Sequence, residues 1–165
     1  MTVRHAKMVR NGLYSMEGRI ADGTGTSVAE AGLRVRCNTG SGDGGITVFN
    51  MTATNNYGPA FYSSECGVTL TDSVLSGNGD NADEYTVHVA DAEDHQQEIR
   101  RLVIRGGRGG VYIHDAARLE LTDVDVQQTS GGRAALRVGV FYTASPVINI
   151  YGNTFENNTL ASDGA

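Results

Sequence analysis

Residues 68–78 read V-T-L-T-D-S-V-L-S-G-N. Val68 and Leu70 alternate with polar neighbours, the polar pair Asp72-Ser73 interrupts, Leu75 resumes and Asn78 closes the unit. The frame returns at 148–158, I-N-I-Y-G-N-T-F-E-N-N, where Ile150, Asn153, Phe155 and Asn158 take the places of Leu70, Ser73, Leu75 and Asn78. It returns at 46–56 with Val48, Met51, Ala53 and Asn56, and more loosely at 119–129 with Leu121, Val126 and Thr129. Val3, Met8 and Asn11 keep the spacing of Leu70, Leu75 and Asn78. A unit recurring every 22 to 29 residues or so marks a stacked repeat.

The physical reading is an all-β parallel solenoid of about six coils. Inward positions alternate with outward ones along each short strand, and a turn carries the chain into the next coil. One coil cannot bury its apolar side chains alone, whereas a stack builds a continuous core. Leu70, Leu75, Val48, Leu121, Val126, Ile150 and Phe155 are therefore expected to share that core. Asn suits the closing position because it tolerates left-handed backbone and bonds to neighbouring main chain. Asparagines at equal places in successive coils are expected to form a hydrogen-bonded ladder. A β-sandwich with Asn-rich turns is the competing architecture.

Composition agrees with an all-β, turn-rich chain: 165 residues form one domain, with 22 glycines and two prolines. Residues 1–31 read as irregular first coils, with Leu13, Ile20 and Val28 as candidate inward positions, and 160–165 as a frayed tail. Only 93–101 favours helix, and the polar stretch 90–98 is expected to project as a dispensable loop. A net charge of −6 and a pI near 5.1 argue against binding duplex nucleic acid, whose affinity rests on phosphate contacts. No apolar run is long enough to span a membrane, and the first residues lack the apolar core of a signal peptide. That leaves the cytoplasm, a virion component assembled in a cell, or a mature domain whose signal has been removed. Cys37 and Cys66 lie one repeat apart, but their places in the frame differ by about three residues. They read as two buried thiols, with a disulfide geometrically open. No C-x-x-C pattern is present, and no metal or cofactor is expected.

On these repeats the chain resembles the right-handed parallel β-helix, or pectate-lyase-like, superfamily, over about residues 3–158. That resemblance implies the fold and leaves the function open among polysaccharide lyases, hydrolases and epimerases, tailspikes and non-enzymatic surface proteins. The superfamily's enzyme motifs N-T-D, D-D, G-H-G, R-I-K, Y-G-x-D-P-H-D and R-x-P-x-x-R are absent, and there is no Trp. His114-Asp115 places a base beside a carboxylate, a weak catalytic candidate because neighbours on a strand point to opposite faces. Six coils at about 4.8 Å each give a stack of about 30 Å. The resemblance implies much longer chains for its enzymes.

With Leu33, Val87, Val111 and Leu136 inward, the residues Arg34, His88, Tyr112 and Arg137 point outward on one sheet. Guanidinium and aromatic groups in a row suit an anionic glycan or a protein partner. A solvated polar face is the plainer alternative. The leading functional reading is a structural and interaction module of a virion (tailspike, fibre or capsid-decoration type) or a cell surface. Glycan binding and homo-oligomerisation, or docking on a larger assembly, are expected of it. A trimer is what the tailspike resemblance implies. The alternative is an enzyme acting on polysaccharide.

Overall fold

The computed structural model describes residues 2–9, 32–37, 45–79, 85–91, 95–131, 134–140 and 146–159. Along them run β1 (Thr2–Arg4), β2 (Lys7–Val9), β3 (Leu33–Arg36), β4 (Gly45–Phe49), β5 (Thr52–Thr54), β6 (Phe61–Ser64) and β7 (Gly67–Ser76). There follow β8 (Val87–Ala90), β9 (Gln96–Arg105), β10 (Val111–His114), β11 (Arg118–Gln127), β12 (Leu136–Gly139), β13 (Val147–Tyr151) and β14 (Thr154–Glu156). Every strand pairing among the described residues is parallel. The first sheet runs β1-β4-β7-β9-β11-β13, with β2, β5 and β14 beside it, and the second runs β12-β10-β8-β6-β3. The chain alternates between the two sheets, which makes it an all-β parallel solenoid of about four turns. The six coils expected correspond to the six levels of the first sheet.

The register is the frame read from residues 68–78. Val48, Leu70, Ile99, Leu121 and Ile150 form one inward column, and Ala53, Leu75, Ile104, Val126 and Phe155 another. In the second sheet Leu33, Phe61, Val87, Val111 and Leu136 are in register. All but the last level of these columns is buried apart from Leu136, which is half-buried against the core.

Corners between strands are made at equal places in successive coils by residues with left-handed backbone. His5, Asn50, Asp72, Arg101, Asp123 and Gly152 form one such column, with φ between 48° and 67°. Asp and Asn accept that region more readily than other L-residues. Arg101 does not, and its guanidinium is clamped by the Asp72 carboxylate of the preceding coil, Nε to Oδ1 at 2.6 Å and Nη2 to Oδ2 at 2.7 Å. The asparagine ladder forms in two pieces. Asn56 Nδ2 donates to Asn78 Oδ1 at 2.7 Å, and Asn78 Nδ2 donates to the Ala53 carbonyl at 3.0 Å. The next coil places Gly107 there, where a Cβ would collide with the Asn78 main chain. The ladder resumes as Asn158 Oδ1 accepts from the Thr129 amide at 3.0 Å.

Four expectations are corrected. Cys37 and Cys66 form a disulfide, Cα to Cα 5.2 Å. Arg36 pairs with Ser64, so the two cysteines differ by one place in register, not three. Residues 96–101 of the helix-favouring stretch are strand, within β9, and no helix is present among the described residues. Residues 96–98 are therefore not loop. Gln97 is fully buried in the column of Val68 and Leu119, its Oε1 accepting from the Val68 amide at 3.1 Å and its Nε2 donating to the Cys66 carbonyl at 2.9 Å. A buried amide is tolerated where both its ends are bonded. Ile150 and Phe155 occupy inward columns but are exposed, at 43% and 40%, because no described strand lies on the far side of β13 and β14. The candidate coil at 12–31, Asn11 and the tail 160–165 lie outside the described residues.

Candidate functional site

Four of the outward residues singled out from the sequence do stand in one column, and a fifth joins them. Arg34, Tyr62, His88, Tyr112 and Arg137 are in direct register across β3, β6, β8, β10 and β12. They are positioned by the alternation of each strand: Leu33 and Val35, Phe61 and Ser63, Val87 and Val89, Val111 and Ile113 turn inward around them. Cross-strand neighbours on a parallel sheet lie close enough for rings and guanidinium groups to stack.

The stack is continuous. The Arg34 guanidinium lies over the Tyr62 ring, 4.8 Å from its centroid. Tyr62 and His88 meet edge to face at 5.1 Å, and His88 and Tyr112 lie tilted at 4.9 Å. The Arg137 guanidinium covers Tyr112 at 4.9 Å. Tyr85, itself buried, packs on Tyr112 at 5.1 Å, and His114 touches the Tyr112 ring edge at 6.0 Å. Cation–π contacts of this kind contribute about 0.5–1 kcal/mol each at exposed sites. Beside the ladder Arg36 pairs with Glu65 at 2.9 Å. The face gathers guanidinium groups on a chain whose net charge is −6.

Burial between the two tyrosines pushes His88 down to about 4, with the nearby His114 adding to the effect and Asp91 opposing it. The proton thus binds the unfolded chain more readily than the folded one between about pH 4 and 6.5, so stability falls as pH drops through that window. Between pH 7 and pH 4.5 the native protein is expected to lose on the order of 2 kcal/mol more than His88→Phe, which keeps a ring and removes the titration. Urea melts of both proteins at the two pH values check this, and equal losses would refute it.

His114 and Asp115 do not face one another. His114 stands on the outer face with Nδ1 3.6 Å from Asp91 Oδ1, whereas Asp115 is fully buried at a corner with φ 61°. Tyr62 was missed because the strand F-Y-S-S at 61–64 has one large apolar residue followed by serines, too short an alternation to fix its phase. Its signal was the match to V-H-V-A at 87–90.

These observations define a parallel β-helix with an aromatic and cationic ladder on its second sheet. The chain belongs to the NosD family, described as periplasmic copper-binding protein, which matches residues 4–164. No curated protein and no solved structure matches significantly. Copper does not fit the described residues. Soft thiolate and thioether ligands or clustered imidazoles would hold it. Both cysteines are spent in the disulfide, and Met51 is sealed in the core. The His5 ring nitrogen is 2.9 Å from Asn50 Nδ2, on the first sheet and away from the ladder histidines. Among the described residues no three His, Cys, Asp or Glu side chains are placed to share an ion.

Proposed function

We propose that this chain is a non-catalytic structural and interaction module working outside the cytoplasm, on a cell surface, in a periplasm or on a virion of tailspike, fibre or decoration type. Its ladder binds an acidic polysaccharide. The observation that carries the reading is the unbroken row Arg34-Tyr62-His88-Tyr112-Arg137. Guanidinium groups suit carboxylates by charge and by their forked geometry, and the row presents one at each end. The disulfide supports an oxidising compartment, and the family is described as periplasmic. The module works as a homo-oligomer, a trimer by the tailspike resemblance. Ile148, Ile150 and Phe155 offer a second copy apolar surface at the last level of the stack.

The test is affinity electrophoresis in gels cast with polygalacturonate, alginate or a neutral glucan, with sedimentation of the same preparations at micromolar concentration. The protein is expected to be multimeric and retarded by an acidic polymer. Retardation should weaken with salt and drop at least tenfold in Arg34→Ala/Arg137→Ala. Absence of retardation by any acidic polymer would sink the binding reading, and a monomer would sink the assembly. Release of new reducing ends or unsaturated sugars would favour the polysaccharide enzyme, with His114 and Asp115 the first residues to change.

A further inference from the structure

The ladder also says how its ligand is read. An aromatic binding face ordinarily offers ring faces for sugars or bases to stack on. Here Tyr112 is covered from the coils on both sides, and Tyr62 has a guanidinium over its ring. Arg34 lies over Tyr62, with His88 against it from the next coil. Tyr112 has His88 and Tyr85 packed on it from the preceding coil and Arg137 over it from the following one. What the two half-buried tyrosines present outward is their edges, each tipped by a hydroxyl.

Among the described residues those hydroxyls are unspent. Neither Tyr62 nor Tyr112 makes a side-chain hydrogen bond to another described residue, whereas on the first sheet the Tyr151 hydroxyl donates to Glu120 Oε1 at 2.8 Å. The core beneath is sealed by Phe61, Val87, Val111 and Ile113, so the side chains cannot turn inward to find partners. Tyr62 and Tyr112 are two levels apart, about 10 Å along the solenoid, with a guanidinium one level beyond each.

We infer that Tyr62 and Tyr112 determine specificity through their hydroxyls, as hydrogen-bond donors to carboxylate or hydroxyl oxygens of an acidic polysaccharide lying along the solenoid axis, and not by stacking. This rests on the acidic-polysaccharide reading. His88 spaces the two donors and holds their rings, a positioning role. Loss of a hydrogen bond to a charged acceptor is a larger effect than loss of a neutral one. The hydroxyl contribution is therefore greatest on the acidic polymer.

The experiment compares the native protein with Tyr62→Phe/Tyr112→Phe, which keeps both rings and the whole stack. Binding to polygalacturonate and to its carboxyl-reduced neutral form is measured by titration calorimetry. The Phe variant is expected to melt within a degree or two of the native protein and to bind polygalacturonate about tenfold or more weakly. Binding by the Phe variant equal to native would overturn edge recognition while leaving the polysaccharide reading intact. Failure of the native protein to bind either polymer would overturn that reading, and this inference with it. A thermal shift of many degrees would show that the hydroxyls serve the fold, and would also overturn it.

Discussion

Leu70→Asp is expected to yield no folded protein at room temperature. Leu70 is fully buried between Val48 of the coil before and Ile99 of the coil after, in the middle of the first sheet. Shortening such a leucine to alanine alone costs about 3–5 kcal/mol. Aspartate adds a carboxylate with no described cation beside it in the core, which must either be buried charged or be protonated at a further cost of several kcal/mol. Together these approach or exceed the total stability of a domain, about 5–15 kcal/mol. Stacking spreads the damage, because each coil is stable only against its neighbours. Circular dichroism and denaturant melts of the purified variant decide it. A cooperative melt within 1 kcal/mol or so of native would mean that the inward column has been misassigned. Ile150→Asp supplies the contrast: it lies in the same column, but at 43% exposure in the single chain it should leave each chain folded while breaking the association through Ile148, Ile150 and Phe155.

That contrast marks what the sequence can tell. The frame of residues 68–78 predicted the inward columns and the Asn56–Asn78 contact, since each is a local property repeated at fixed spacing, but the left-handed residues that close the units are Asn55, Gly77 and Asn157, one place before the asparagines expected to take that backbone. It could not tell a middle coil from a final one, because Ile150 and Leu70 look alike until the level beyond each is known. Gln97 defeated the pattern for the opposite reason. A polar residue at an inward place looks like a loop, and only the bonds to the Val68 amide and the Cys66 carbonyl show why it is tolerated. Arg34, His88, Tyr112 and Arg137 were found because their strands alternate cleanly. The continuity of the ladder was not legible, because it depends on register across five strands and on Tyr62. The corner at Arg101 was equally hidden, since its left-handed backbone is held by a carboxylate 29 residues earlier.

Reduction of the Cys37–Cys66 bond is expected to lower stability by about 3–4 kcal/mol, the loop-closure value for two residues 29 apart. The bond joins the end of β3 to the corner after β6, so it fastens the first level of the second sheet to the next. Among the described residues β3 is the edge strand there, paired by β6 alone. Main-chain bonds, the Arg36–Glu65 pair and the inward packing of Leu33 and Val35 hold it besides. An edge strand is where a solenoid frays first, and a covalent link there withholds conformations from the unfolded chain while keeping Arg34 seated over Tyr62. Cys37→Ser/Cys66→Ser should therefore match the reduced native protein in urea, and added reductant should leave the double variant unchanged. With a fall of this size the native midpoint shifts by about 1–3 M urea for a typical denaturant slope. A native protein shown by mass to be fully reduced, yet melting at the oxidised midpoint, would mean that β3 is held by its packing alone.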